Sequence, residues 1–342
     1  MIGRNVLLLV SVILMTGCGR NIDVSEDNVS SLTLSVKSSE GSAPVTSLKV
    51  WAFDCDAQGK VGRTANIGYA SADEQSTLTL TLDTESHFCL LLAGANLPAG
   101  FSQNMTFPSL TLTTFSGLSN NVSATHWAVV DLTASSSGRI SVPMEVFPTW
   151  GKISVNVSKE SEAMNLRIEE VALLSSCAPE QGAFFSSLTA EEIKSGGMAA
   201  DGWYFNNLTF SAAAMSTVLA SDVDVAESKR SMALCSENIY ENQAGWADLT
   251  AFRQSGWALN PSEIDPDCNG YYLSITYSYA ISPASLDSDE AVTVQKYIPL
   301  APVCRSNEYR FDIKVNLDEI IVFGSTEVSE EIGGIWEPKH RK

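Results

Sequence analysis

The chain has 342 residues, of which 44% are hydrophobic and 18% are charged, and this composition indicates a globular protein of about two domains. With 21 basic and 40 acidic residues, its formal net charge is −19. An extended phosphate-binding face needs clustered Lys and Arg, so the charge argues against a nucleic-acid partner.

The N-terminus has the pattern of a secretory signal. Arg4 and the terminal amine precede the apolar residues 6–15, and Thr16 and Gly17 are small residues next to Cys18. An apolar run of roughly ten residues is too short for a bilayer core about 30 Å thick, which needs about twenty helical residues. We therefore predict that residues 1–17 are a signal peptide that is removed.

Cys18 is the predicted lipid-attachment site. Residues 14–18, LMTGC, resemble the lipobox of bacterial lipoproteins, in which a signal peptidase cuts before a diacylated cysteine. The alternative is an ordinary cleavage site with a coincidental cysteine nearby. Several acyl chains on one cysteine anchor a protein stably, so we expect attachment to a membrane.

Alternating segments follow a polar, acidic stretch. Residues 18–30 predict a solvated tether. Beyond it, apolar and polar residues alternate with the period of half-buried strands. The alternating segments are residues 32–37, 78–82, 153–157, 271–279 and 309–315. Turn-forming residues at 56–59, 97–100, 135–138 and 267–270 separate strands of this kind. The pattern predicts an all-β chain built from β-sandwiches.

Helix is a minority in this pattern. One short helix is predicted where Thr189 and Glu192 form a capping box and Gly196 ends the turn. From about 195 to 265, small and polar residues are mixed with three tryptophans, and long loops are expected there.

A domain boundary is predicted at residues 146–150, VFPTW, where a proline separates two alternating runs. It divides the mature chain into an N-terminal domain of residues 31–147 and a C-terminal domain of residues 148–342. No fixed-period repeat is evident, which argues against a solenoid.

Six cysteines remain after Cys18, and in an exported chain they permit three disulfides whose pairing stays open. They are Cys55, Cys89, Cys177, Cys235, Cys268 and Cys304. Two segments, starting at Asp54 and Asp265, have the spacing of the first half of a calcium loop. Position twelve holds Ala65 and Thr276 instead of an acidic residue, so Asx-rich turns are the preferred interpretation and no metal or other cofactor is expected.

No catalytic site is predicted. His87, His126 and His340 have no catalytic sequence context, and no GxSxG motif is present. Trp203, Trp246 and Trp257 lie in the loop-rich region, where exposed rings could stack on sugars or anchor a protein partner; the alternative is that they fill the core.

Seven segments, in order, resemble those of the Bacteroidales-type fimbrillins. LKVWAFDCDAQGKVG (48–62), FCLLLAGANLPAG (88–100) and VPMEVFPTWGKISVNV (142–157) are similar to the early strand-turn, the Ala-Asn-Leu-Pro loop and the Pro-Met segment between domains. CSENIYENQ (235–243), YYLSITYSY (271–279), RSNEYRFDIKVNL (305–317) and GGIWEP (333–338) are similar to the later landmarks. Together they cover nearly the whole mature chain behind the lipobox.

The resemblance implies two tandem transthyretin-like β-sandwich domains in a lipoprotein precursor that is exported to the outer membrane and reaches the cell-surface fimbrium. In polymerising members a protease removes the N-terminal strand, and the C-terminal strand of a neighbour fills the open groove. Carried over to this chain, the groove strand holds Leu32, Leu34 and Val36. The donor-strand candidates are Ile320, Ile321, Val322 and Phe323, and the alternative is an ordinary last strand.

The chain departs from the family at the maturation site. Polymerising members are usually cut after an arginine that follows the first strand. Between Arg20 and Arg63, however, the only basic residues of this chain are Lys37, Lys49 and Lys60. A cut at Arg63 would remove two strands, so Lys37 is the other candidate. A third alternative is that the chain keeps its lipid and serves as an anchoring or minor subunit.

The sequence thus predicts a non-enzymatic fimbrial subunit that binds other subunits by strand exchange and contributes to adhesion, with a host or bacterial surface receptor as a further expected partner. The alternative is a surface glycan-binding lipoprotein that never polymerises and binds sugars through Trp203, Trp246 or Trp257.

Overall fold

The structure is a computed structural model. It describes residues 22–23, 29–38, 46–56, 58, 60–73, 77–86, 88–118, 126–133, 139–188, 204–205, 208–226, 231–242, 244, 258–263, 269–316 and 320–328. For residues 22–23, 29–38, 77, 83–86, 88, 126–133, 139–145 and 320–328 the description is limited to the backbone. The described chain is nearly all β, which confirms the predicted fold class.

The first half of the chain contains β1 to β9 and one short helix. They are β1 (Ile22–Asp23), β2 (Val29–Ser38), β3 (Ser47–Asp54), β4 (Gly68–Asp73), β5 (Thr77–Ser86), β6 (Phe88–Ala95), α1 (Phe107–Thr111), β7 (Thr114–Ser116), β8 (His126–Thr133) and β9 (Arg139–Pro148).

The second half contains β10 to β18 and a 3-10 turn at Pro261–Glu263. The strands are β10 (Gly151–Lys159), β11 (Met164–Pro179), β12 (Gln181–Ala183), β13 (Ala212–Asp224), β14 (Met232–Ile239), β15 (Tyr272–Ile281), β16 (Val292–Pro299), β17 (Asn307–Val315) and β18 (Ile320–Val328). No helix among the described residues is long and apolar enough to cross a bilayer.

The alternating segments are strands, as predicted, and they correspond to β2, β5, β10, β15 and β17. In β17 the burial alternates strictly, with Tyr309, Phe311 and Ile313 buried between half-buried polar residues. The period of two therefore reports a strand with one face in a core.

The expectation of long loops from about 195 to 265 is wrong for part of that region, which forms β13 and β14. Alternation is weak in β13 because it is an edge strand, exposed along most of its length, and its register to β11 shifts at Val171/Ala172 and again at Ser175/Ala178. The helix predicted at 189–196 lies outside the described residues. Helix α1 was not predicted; Thr106 caps it by accepting a hydrogen bond from Ser109 N at 3.3 Å.

The first half folds into two layers, which we call the first sandwich. Its strand order is β4-β3-β6-β8-β9-β2-β5, with β1 beside β8. Strands β8 and β9 are joined only through His126 with Pro148 and Trp127 with Phe147, so the sheet turns there and β9-β2-β5 lies over β4-β3-β6-β8. The inner core between these layers consists of Leu48, Val50, Ala52, Ile67, Leu78, Leu80, Leu82, Cys89, Leu91, Ala93, Ala95 and Val146.

The opposite face of β3 and β6 is covered by a second set of side chains, here named the aromatic cluster. Its buried members are Trp51, Phe53, Cys55, Leu90, Leu92, Phe101, Leu110, Phe115, Phe147, Phe184, Phe185 and Leu188. Because successive residues of a strand point to opposite faces, β3 sends Leu48 and Val50 to the inner core and Trp51 and Phe53 to the aromatic cluster.

The second half forms the second sandwich, in which the sheet β14-β10-β17-β18 packs on the sheet β13-β11-β15-β16. Their facing rows fill one core, for example Ile153 and Val155 of β10 against Ile168 of β11 and Ile275 of β15. Strand β10 runs parallel to β17 and antiparallel to β14.

The predicted tether and the predicted domain boundary agree with the structure to different degrees. The prediction of a solvated tether is wrong at Ile22–Asp23, because these two residues pair with Leu132 and Thr133 of β8. The boundary at 146–150 falls between the end of β9 and the start of β10. The division into domains of 31–147 and 148–342 stays a prediction, because the aromatic cluster contains side chains from both sides of it.

No disulfide joins any two of the five described cysteines, and Cys268 lies outside the described residues. Cys55 belongs to the aromatic cluster and Cys89 to the inner core, on opposite faces of one sheet. Side chains on opposite faces of a strand pair cannot reach the short Cβ separation that a disulfide needs.

Alkylation of the cysteines tests whether they are reduced. Burial raises the pKa of Cys235 to about 11 and that of Cys304 to about 12. Since the thiolate is the nucleophile, we expect both to resist iodoacetamide at mildly alkaline pH in the folded protein and to react after unfolding without reductant. Mass spectrometry reads both states. A thiol that is blocked until a reductant is added would contradict the assignment.

Candidate functional site

The groove-strand residues lie on β2, an internal strand of the first sandwich. Ser31–Ser38 pairs in parallel with Arg139–Val146 of β9, and Ser31–Ser35 pairs antiparallel with Thr77–Thr81 of β5. We call the position between β9 and β5 the β2 slot. Both backbone edges of β2 are engaged in it.

The register between β2 and β5 places Leu32 and Leu34 opposite buried residues of β5. Leu32 is opposite Leu80, and Leu34 is opposite Leu78. Leu80 is fully buried, and Leu78 is nearly so. Directly opposed residues of a ladder lie on one face, so these two register positions belong to the inner-core face of the sheet.

The two candidate cleavage sites have different positions. Lys37 is the last residue but one of β2, and its register partner in β9 is Glu145. Arg63 lies in the exposed connection between β3 and β4. A cut after Arg63 therefore detaches β3 as well as β1 and β2, whereas a cut after Lys37 detaches β1 and β2 and leaves β3 in place.

The donor candidates lie on β18, an edge strand of the second sandwich. Ile320, Ile321, Val322 and Phe323 pair antiparallel with residues 315 to 312 of β17. In this single chain they occupy the place of an ordinary last strand, which was the alternative interpretation. The structure does not bring them to the β2 slot.

Several predicted residues lie outside the described part of the chain, namely Cys18, Trp203, Trp246 and Trp257. Of the calcium-like segments, the first is an Asx turn, as preferred: Asp56 Oδ1 accepts hydrogen bonds from Gln58 N and Lys60 N at 3.0 and 2.8 Å. Asp265 and Asp267 are not described. Within the described ranges, no group of three or more His, Cys, Asp or Glu side chains converges.

The sequence analysis missed a buried ion pair where the two sandwiches meet. The side chains of Arg305 and Glu241 are 0% and 1% exposed, and Arg305 Nη2 lies 2.6 Å from Glu241 Oε2. Arg305 Nε and backbone N also donate to Glu241 Oε1, at 2.8 and 3.0 Å. Tyr204 donates its hydroxyl to Glu241 Oε2, and its pKa is well above the usual value because the ring is buried and Glu241 is negative.

This pair holds a segment that belongs to the aromatic cluster. Arg305 donates to the carbonyl oxygens of Ala183 and Phe184 at 2.9 and 3.0 Å. Strand β12, which ends at Ala183, pairs with β7, and the missing side chain of Gly182 leaves room for the ring of Phe115. We call this region the junction. Glu241 and Arg305 were present in the fimbrillin-like segments 235–243 and 305–317, but their pairing could not be read from the sequence.

Replacing Glu241 tests the junction. In Glu241→Gln the shape is kept but Arg305 becomes an uncompensated buried cation, so we expect the free energy of unfolding to fall by about 3–5 kcal/mol. Urea unfolding of the full chain measures this change.

The matched control is Asp224→Asn, which breaks the exposed pair between Asp224 and Arg167. Water screens that pair, so the control should change the unfolding midpoint far less. Equal midpoints for the two variants would show that the buried pair is not needed for stability.

Three solved structures are similar to this chain over most of its length. A candidate cell adhesion protein from Parabacteroides distasonis matches with a TM-score of 0.50 and 12% identity, over 91% of this chain and 98% of that chain. A fimbrilin from Porphyromonas gingivalis matches with 0.47 and 11%, over 85% and 91%. A C-terminally truncated tip fimbrial protein from the same species gives 0.48 and 12%, over 87% and 98%.

The sequence comparisons add nothing, since no protein-family model and no curated protein matches the chain. At such low identity, structural likeness establishes the fold and not the activity. The candidate cell adhesion protein from Parabacteroides distasonis shares its overall fold with this chain, and the predicted resemblance is confirmed at that level, as a likeness of fold.

Proposed function

We propose that this chain is a structural subunit of a cell-surface fimbrium, exported as a lipoprotein and joined to its neighbours by exchange of β-strands. The observation that carries the proposal is the position of β2, an internal strand close to the N-terminus that pairs on both edges. The fold shared with the candidate cell adhesion protein agrees with this role.

Removal of β2 would create an acceptor groove. The backbone groups of β9 and β5 that now pair with β2 would lose their partners, and the buried Leu78 and Leu80 would lose the residues opposite them in the ladder, Leu34 and Leu32. Fully burying one leucine side chain contributes about 1.5–3 kcal/mol, so an empty slot has a strong tendency to bind a strand with alternating apolar residues.

Lys37 suits the opening cut better than Arg63. A cut after Arg63 would detach β3, whose Trp51, Phe53 and Leu48 are fully buried in two different clusters. Losing such a strand would destroy the first sandwich rather than open it. We therefore propose cleavage after Lys37.

Strand β18 suits the role of donor. As an edge strand it pairs with β17 alone among the described strands, whereas a strand in the slot pairs with both β9 and β5. A donor strand that moves from the edge of the second sandwich to the β2 slot therefore exchanges one ladder of backbone hydrogen bonds for two. Cys18 would hold the precursor at the outer membrane, and adhesion to a surface receptor would be a property of the assembled fibre. The proposal assigns no catalysis to the chain.

Truncation tests the exchange. A chain that begins at Ser38 should form a ladder of multimers on a gel, whereas the same chain ending after Leu317 should stay monomeric with a folded first sandwich. Circular dichroism confirms folding. An unchanged ladder after truncation would overturn the assignment of β18 as donor.

A peptide competition tests the slot itself. A peptide of residues 29–38 should bind the chain that begins at Ser38 and stop multimer growth. The matched peptide with Asp in place of Leu32 and Leu34 should bind at least about 100-fold more weakly, because two apolar side chains no longer fill the slot. Equal inhibition by both peptides would exclude insertion at the β2 slot.

A further inference from the structure

The second sandwich has an open pocket at the end remote from the junction. Its volume is about 370 Å³, and it lies among the end of β10, the start of β11, the end of β13 and the loop that follows β15. Strand β10 leads from the junction at Gly151 to this pocket at Lys159, a length of roughly 26 Å. We call it the distal pocket.

A lysine ends the inward-facing row of β10. Ile153, Val155 and Val157 face the core, and Lys159 is the next residue of the same row, with only 5% of its surface exposed. Lys159 lines the distal pocket beside the buried Leu166. An inward position at the end of an apolar row is an unusual place for a cation.

The ammonium of Lys159 is poorly satisfied. It donates to Met164 O at 2.9 Å, and within the part of the chain that the structure describes no carboxylate lies within ion-pair distance of it. An ammonium has three donors, and a buried cation is costly unless an anion and further acceptors accompany it. The neighbouring cation, Arg167, is by contrast already paired with Asp224, at 2.7 Å.

The charges of the pocket select the anion. Lys159 offers one unpaired positive charge, while Asp224 and Asp287 stand at the rim. The two aspartates would repel a dianionic phosphate more strongly than a monoanionic carboxylate, and the single charge of a carboxylate matches the single cation. Asp224 also accepts hydrogen bonds and so suits a ligand that carries hydroxyl donors, whereas Asp287 adds a negative charge near the bound anion.

We propose that the distal pocket binds a carboxylate-bearing sugar, of the uronic acid type, with the carboxylate on Lys159 and hydroxyls toward Asp224. The volume is at the lower end of the range for small-ligand pockets, which fits a single sugar residue. The inference does not depend on strand exchange, since it concerns the opposite end of a different sandwich.

Calorimetric titration of the full mature chain with sodium glucuronate tests the proposal, with glucose as the neutral match. We expect glucuronate to bind and glucose not to. Lys159→Met should weaken glucuronate binding about 10- to 100-fold, because it removes a charge-assisted hydrogen bond. Lys152→Met, the same change on a half-exposed lysine at the junction end of β10, should leave the affinity unchanged.

A variant at the rim of the pocket should change the glucuronate affinity in the opposite direction to Lys159→Met. Asp287 is exposed, and Asp287→Asn removes a negative charge near the bound carboxylate, so the affinity should rise roughly 1.5- to 5-fold. This variant decides the question even if Lys159→Met fails to fold.

Three outcomes would overturn the proposal. They are no binding of glucuronate to the wild-type chain, equal binding of glucuronate by Lys159→Met in its folded form, and weaker binding by Asp287→Asn. N-acetylglycine, which carries the carboxylate of a peptide C-terminus, serves as the last probe. If it binds in place of glucuronate, the pocket recognises a peptide end and the sugar assignment is wrong.

Discussion

The buried pair of Arg305 and Glu241 is the interaction on which the arrangement of the two sandwiches depends. Both charges are removed from water, so their desolvation is offset only while every partner is in place. Those partners include the carbonyl oxygens of Ala183 and Phe184, which come from a different part of the chain. The ion pair thereby fixes a backbone segment as well as two side chains.

That segment closes the first sandwich from outside. Phe184 packs edge to face against Phe101 at 5.0 Å between ring centroids, and Phe185 lies at right angles to Trp51 at 6.3 Å. Strand β3 is consequently buried on both faces, one against its own sandwich and one against residues of the second half. Removing β3 would therefore disrupt two clusters. The proposed cut after Lys37 leaves β3 in place.

Two inward-facing cations occupy opposite ends of the second sandwich, and they differ in how well they are satisfied. Arg305, near the start of β17, has a carboxylate and two carbonyl acceptors. Lys159, at the end of β10, has one carbonyl acceptor among the described residues and borders a pocket. A fully satisfied buried charge serves structure, while a partly satisfied one beside open space has capacity left for a ligand.

The sequence by itself determined the strands with one buried face, because alternation in β5, β10 and β17 records which side of each strand meets a core. It also indicated the slot residues Leu32 and Leu34. Only the tertiary structure decided that β13 is an edge strand and that Glu241 meets Arg305, since both depend on pairing between distant residues. A strand exposed on most of its length leaves no period, and an ion pair across 64 residues leaves no local pattern.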